Sequence, residues 1–150
     1  MRVAVACDHA GFPLKSVVIE TARRLGHEVL DLGTNSTDPV DYPDIAEAVG
    51  RAILDGRSDR GIVVCGSGVG AAVAANKMRG LRAAVIGDVY SARQAVEHDD
   101  IQVLSIGARV IGPALAVSVV EAFLQATFSG EERHVRRLKK IAALEARERE

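Results

Sequence analysis

Cys65 closes an apolar run and is followed by glycine at every second position, Gly66, Gly68 and Gly70, before Ala71–Ala75 continue as a helical pattern. Backbone amides gathered at such a helix start form a concavity for an anion, and glycine lets a ligand approach with no Cβ in the way. The same field favours the thiolate of an adjacent cysteine, whose free pKa is about 8.5. A sulfur base and an oxyanion trap in one turn can remove a proton from a carbon beside a carbonyl and hold the resulting enediolate. The amides of Gly66, Ser67, Gly68, Val69 and Gly70 are the candidates for that trap.

Other readings compete for these residues. Gly66, Gly68 and Ala71 fit a dinucleotide fingerprint, with Asp88 about twenty residues on as its acidic partner. That match sits at the third strand, leaves no room for a substrate domain, and puts Asp88 beyond the next strand instead of at its tip. A phosphate-binding P-loop is excluded because no Gly-Lys-Ser/Thr follows the glycines. The simplest alternative is a tight turn beside a buried, inert cysteine. Asp8 and His9, in Cys7–Gly11, form a second polar cluster that could be no more than a turn. Arg133 to Lys140 holds five Lys/Arg and one His with no acid, a candidate anion site or a solvated basic face. Arg133, Arg137 and Lys140 recur at i, i+4 and i+7, so they share one helical face. A guanidinium fork can bond two oxygens of one phosphate.

Apolar runs at Val3–Cys7, Val29–Leu32, Ile62–Cys65, Ala83–Ile86 and Val103–Ile106 alternate with helical patterns. One helix follows Pro13 and stops at Gly26; another carries Ile45, Val49, Ala52 and Ile53 and stops at Gly56. Strands apolar throughout suggest burial on both faces, which predicts a five-stranded parallel sheet between helices. A helix from about Gly112 to Thr127 follows the fifth strand, and a charged one spans about 131–150. The narrow apolar stripe of that last helix, Val135, Leu138, Ile141 or Ala142, and Leu144, suits packing on its own domain or on a partner subunit. Ligands of open α/β sheets bind beyond the carboxyl ends of strands where strand order reverses. If strands one and three are neighbours, Asp8, His9 and Cys65 converge there.

The chain of 150 residues, 48% of them hydrophobic and with no linker-like tract, reads as a single domain over 1–150. No signal peptide and no membrane span are expected, which places the protein in the cytoplasm. Two cysteines without CxxC or metal spacing give neither a disulfide framework nor a zinc site. A net charge of −1 and five aromatics argue against nucleic acid as a partner.

In order along the chain, "CDHAGFPLK" at 7–15, "DLGTNS" at 31–36, "DYPD" at 41–44, "VCGSGVG" at 64–70, "AANK" at 74–77, "GARVIG" at 107–112 and "RHVRR" at 133–137 resemble the type B ribose-5-phosphate isomerases. That family also includes galactose-6-phosphate isomerase subunits. The resemblance implies a Rossmann-like three-layer α/β/α sandwich with an extra C-terminal helix. It further implies a homodimer or homotetramer with active sites at subunit interfaces, and neither metal nor organic cofactor. It assigns Cys65 as the base moving a proton between C1 and C2; family members lacking this cysteine use a glutamate at the position of Ala71. Ser67 and the turn amides would stabilise the enediolate, and His98 would assist opening of the furanose ring. Asp8 would bind sugar oxygens, Tyr42 would line the pocket, and His9, Arg109, Arg133 and Arg137 would clamp the phosphate.

One position departs from the pattern. Asp99 stands where the family usually has asparagine, replacing an amide that donates with a carboxylate that, when ionised, only accepts. The leading expectation is interconversion of D-ribose 5-phosphate and D-ribulose 5-phosphate. The alternatives are the same chemistry on erythrulose 4-phosphate, allose 6-phosphate or galactose 6-phosphate, and a non-catalytic nucleotide- or phosphosugar-binding module.

Overall fold

The structure, a computed structural model, describes residues 1–149. Its elements are β1 (Arg2–Cys7), α1 (Phe12–Arg24), β2 (Glu28–Asp31), α2 (Tyr42–Leu54), β3 (Arg60–Cys65), α3 (Val69–Asn76), β4 (Ala83–Val85), α4 (Val89–Asp99), β5 (Val103–Gly107), α5 (Pro113–Gln125) and α6 (Glu132–Glu148). All strand pairs are parallel, in the order β2-β1-β3-β5-β4. The three central strands are buried almost end to end, whereas the edge strands β2 and β4 are short and half open. Short edges limit the unpaired backbone that another chain could extend.

Side chains alternate between the two faces, so the central strands feed two cores. Val3, Val5, Cys7, Ile62, Val64, Leu104 and Ile106 face α1, α4 and α5, with Phe123 fully buried among them. Ala4, Ala6, Val63, Cys65 and Val103 face α2 and α3, where Ala46, Ala52, Ala71, Ala72 and Ala75 complete a lining of small residues. Small residues let α2 and α3 approach the sheet closely: a Cβ added to Gly61 would stand 2.2 Å from Val49 Cγ1. The expected α/β/α sandwich and its extra C-terminal helix are both present.

Boundaries differ from the expectations by a few residues. β4 ends at Val85, although the Ile86 amide still donates to Ser105 O at 3.1 Å. α2 begins at Tyr42, upstream of its apolar positions, with Pro43 in its first turn. α6 begins at Glu132 and ends at Glu148; Glu150, also expected in this helix, lies outside the described residues. The α6 stripe does not fold back fully onto its own chain: Val135 and Leu138 are half-buried, while Ile141 and Leu144 are 47% and 50% exposed.

Gly11 locks the β1–α1 turn against β3. A Cβ there would fall 1.8 Å from Val64 O and 2.8 Å from Cys65 N, both backbone atoms that cannot swing aside. Gly11→Ala is therefore expected to destabilise the fold by about 3 kcal/mol or more, read as a drop in the urea midpoint. Gly87→Ala, whose nearest neighbour would be Ile111 Cγ2 at 3.5 Å, is the matched control.

Candidate active site

β1 and β3 are neighbours, and strand order reverses between them: β2 lies on one side of β1, while β3, β5 and β4 continue on the other. In register, Cys7 pairs with Val64 and Cys65 with Gly107, so the ends of β1, β3 and β5 meet at one level. Asp8 follows β1, is 6% exposed and accepts from the Gly11 amide at 2.9 Å. His9 accepts from the Val40 amide through Nδ1 at 3.2 Å, which leaves Nε2–H free to donate outward. With Tyr42 and Pro43, Asp8 and His9 line a cavity of about 490 Å³.

The glycine turn is tightly shaped. Gly68 has φ +85°, a left-handed conformation, and its carbonyl accepts from the fully buried Ser105 hydroxyl at 2.6 Å. Ser67 Oγ accepts from the Val69 amide at 3.2 Å. A Cβ at Gly70 would sit 2.5 Å from the Tyr42 ring, so that ring lies directly on the turn. Arg109 donates its amide to Gly66 O at 3.0 Å and lays its guanidinium beside Gly66, with Nη1 3.5 Å from where a Cβ would be. Asp8, His9, Tyr42, Cys65, Ser67, the glycine turn and Arg109 thus gather at the carboxyl ends of the strands.

The surroundings of Cys65 work against the thiolate that a helix start favours. Burial pushes the thiol up to about 12, with the neighbouring Asp8 carboxylate adding to the rise. A hydrogen bond from the Asp8 backbone amide lowers it without offsetting these two effects, and Cys65 is held as a neutral thiol at neutral pH. The dinucleotide reading also fails on geometry: Asp88 caps α4 by accepting from the Ser91 amide at 2.7 Å, so its carboxylate is engaged structurally.

His98, Asp99, Arg133 and Arg137 lie elsewhere. In a parallel sheet a crossover helix runs back from the carboxyl end to the amino end. His98 and Asp99 finish α4 just before β5, about a strand length, roughly 16 Å, from the level of Cys65. α6 starts beside them: the Ser129 amide donates to Glu97 O at 3.0 Å, and the His134 ring stacks on His98 with centroids 4.1 Å apart. α6 then reaches the α3–β4 loop, where Glu145 accepts from the Gly80 amide at 3.1 Å. One chain therefore holds these two groups of residues at opposite poles of its sheet.

Four residues outside the sequence-based set support this geometry. Ser105 pins the glycine turn, and His134 backs His98. Lys15, 5% exposed, pairs with Asp31 at 2.7 Å and donates to Thr34 O at 2.9 Å, holding the loop after β2. Arg82 donates to the carbonyls of Asp99 and Asp100, closing the end of α4. A hydroxyl inside the apolar run of β5 was the one readable signal among them. Among the described residues no cluster of three or more His, Cys, Asp or Glu is placed to hold a metal, and no helix is long and apolar enough to cross a membrane.

A parallel sheet wound on both faces, with its polar groups at a topological switch point, defines a Rossmann-like α/β protein built to bind a small ligand at its strand ends. Within that class the chain belongs to the ribose/galactose isomerase family, whose model, described as "Ribose/Galactose Isomerase", matches residues 3–141. It is 43% identical over 146 residues to ribose-5-phosphate isomerase B of Escherichia coli K12, covering 97% of each chain. It is 40% identical over 132 residues to D-erythrulose-4-phosphate isomerase of Pectobacterium atrosepticum, covering 87% of this chain and 86% of that one. Ribose-5-phosphate isomerase B of Clostridium thermocellum superposes with a TM-score of 0.94 at 42% identity, covering 98% of this chain and 99% of the other.

Proposed function

We propose that the protein is an aldose–ketose isomerase interconverting D-ribose 5-phosphate and D-ribulose 5-phosphate. The observation that carries this reading is the convergence, at one switch point, of a buried thiol, an amide turn and the Arg109 guanidinium, in a chain 43% identical to a ribose-5-phosphate isomerase B. Cys65 moves the proton between C1 and C2. Because it rests as a thiol, it must first lose its proton, and the Asp8 carboxylate beside it is the group placed to accept one. A sulfur with a high pKa is a stronger base once ionised, which suits removal of a weakly acidic C–H. The turn from Gly66 through Ser67, Gly68, Val69 and Gly70 stabilises the enediolate oxygen. Tyr42 walls the pocket.

The ring-opening acid–base, His98, and the phosphate ligands Arg133 and Arg137 come from a second protomer, whose amino-end pole meets the carboxyl-end pole of the first. His9 and Arg109 complete the phosphate clamp. This arrangement makes the working unit a homodimer or a dimer of dimers, with the domain over 1–150 reaching its partner through the helix at about 131–149. Val69, Val89, Tyr90 and Val110 follow the carboxyl ends of β3, β4 and β5 and are 45–68% exposed. Exposed apolar side chains around a half-site fit a protein–protein contact. No cofactor enters the scheme; the site is expected in a cytoplasmic enzyme whose only other partner is the phosphosugar.

A second substrate reading has its own support: Asp99, exposed at the end of α4, and the relative named as a D-erythrulose-4-phosphate isomerase. The test of both is turnover on a panel of four- to six-carbon aldose and ketose phosphates by the reduced protein and by Asp99→Asn. Ribose 5-phosphate is expected to be the best substrate. Removing a carboxylate near a dianionic ligand is expected to lower KM by up to about tenfold. An unchanged KM and preference would remove Asp99 from the site; binding of phosphosugars with no turnover of any would leave a binding module.

A further inference from the structure

His134 is fully buried on an otherwise open helix and takes no part in the scheme above. Only 2% exposed, it is the single buried residue of α6. Its ring lies on His98 with centroids 4.1 Å apart and planes 24° apart. Both of its nitrogens are engaged. Arg133 Nε–H donates to His134 Nε2 at 3.3 Å, and Ser129 Oγ lies 2.6 Å from His134 Nδ1. A guanidinium has donors only, so Nε2 must be the acceptor and the ring proton must sit on Nδ1, donated to Ser129 Oγ. That hydroxyl also accepts from the Glu131 amide at 3.2 Å, while the Ser129 amide is tied to Glu97 O on α4.

We propose that His134 is a positioning residue: held as a neutral plate between Ser129 and Arg133, it fixes the ring plane of His98 and joins the acid–base group to the phosphate clamp as one rigid unit. The inference rests on the reading of His98 and Arg133 given above. The groups facing His134 are His98 from α4, and Arg133, Arg137 and Glu131 from α6 and the residue before it. Burial and the cationic neighbours hold its imidazole below the ordinary histidine range, in keeping with the tautomer fixed by the hydrogen bonds. Two imidazolium rings stacked at this separation would repel, so keeping His134 neutral removes that repulsion from the face of His98. Arg133 also pairs with Glu131 at 3.2 Å, so its guanidinium is held from two sides before any phosphate arrives.

The test follows the imidazole nitrogens of the whole protein by NMR as pH is lowered. The expected result is that His134 keeps the Nδ1–H tautomer at pH values where a free imidazole is already protonated. Protonation of His134 at the pH of a free imidazole, or above it, would overturn the proposal. His134→Phe keeps a flat ring and loses both hydrogen bonds. It is expected to lower kcat on ribose 5-phosphate about tenfold while solvent-deuterium exchange at C1 of ribulose 5-phosphate continues, since misorientation touches ring opening and not C–H cleavage. Unchanged kcat in that variant would also overturn it. Should the phenylalanine variant fail to fold, Ser129→Ala removes the Nδ1 partner alone and is expected to release the tautomer; an unaltered His134 spectrum there counts against the proposal. Full turnover by His98→Gln would instead defeat the assignment of His98, a failure separate from that of the His134 spectrum.

Discussion

Cys65→Ala lowers kcat on ribose 5-phosphate by about a thousandfold, within the range that a positioned acid–base group contributes. Solvent-deuterium exchange into C1 of ribulose 5-phosphate falls in parallel, because both processes pass through the same proton abstraction. The variant folds: Cys65 is 5% exposed, its side chain is small, and the alanine-lined face around it accepts another methyl. Substrate still binds, since His9, Arg109 and the turn amides are untouched, so the loss appears in kcat and not in KM. Cys7→Ala is the control. Cys7 points to the opposite face of the sheet, among Val5, Val64 and Ile106, and its thiol is also raised by burial. Full activity in Cys65→Ala would remove the sulfur from the chemistry and leave Asp8 as the nearest carboxylate able to act.

Two inactive variants restore activity to one another when mixed. On the proposed two-chain site, Cys65→Ala damages the carboxyl-end half and Arg137→Ala the amino-end half, so each homodimer would be defective at both of its sites. A heterodimer carries both lesions in one site and neither in the other. Random reassociation from an equal mixture makes half the dimers mixed, and each has one intact site, so activity returns to about one quarter of the unmutated level. Assay of the two proteins before and after co-refolding checks this. Two variants that stay silent after mixing would mean that each chain assembles its site alone, which the separation between His98 and Cys65 in one chain makes geometrically demanding.

Much of the fold was legible because β1, β3 and β5 are buried on both faces and so read as unbroken apolar runs. Pro13, Pro43 and Pro113 mark three helix starts where a missing amide costs nothing. The pairing of β1 with β3 was the one topological condition needed to bring Asp8, His9 and Cys65 together, and the structure meets it. Less legible was the state of the thiol. Local sequence shows a helix start, which lowers a pKa, but burial and the carboxylate of Asp8 come from chain folded over the turn. The division into two poles was implicit in the alternation itself, since any residue closing a crossover helix lies at the amino end of a parallel sheet. His98 and Asp99 occupy that position, although a motif read along the chain gives no sense of which end faces which. His134 was visible only as one histidine in a basic run, because stacking against α4 depends on where the chain crosses after α5.

The high pKa of Cys65 bears on chemical durability. With burial and Asp8 holding the thiol up at about 12, almost none of the sulfur is ionised at pH 7. Peroxide and electrophiles react with the ionised form, so the empty enzyme presents them with almost nothing to attack. Its 5% exposure narrows access further. On the proposed role of Cys65, the enzyme would thus keep its base in an oxidation-resistant form between turnovers.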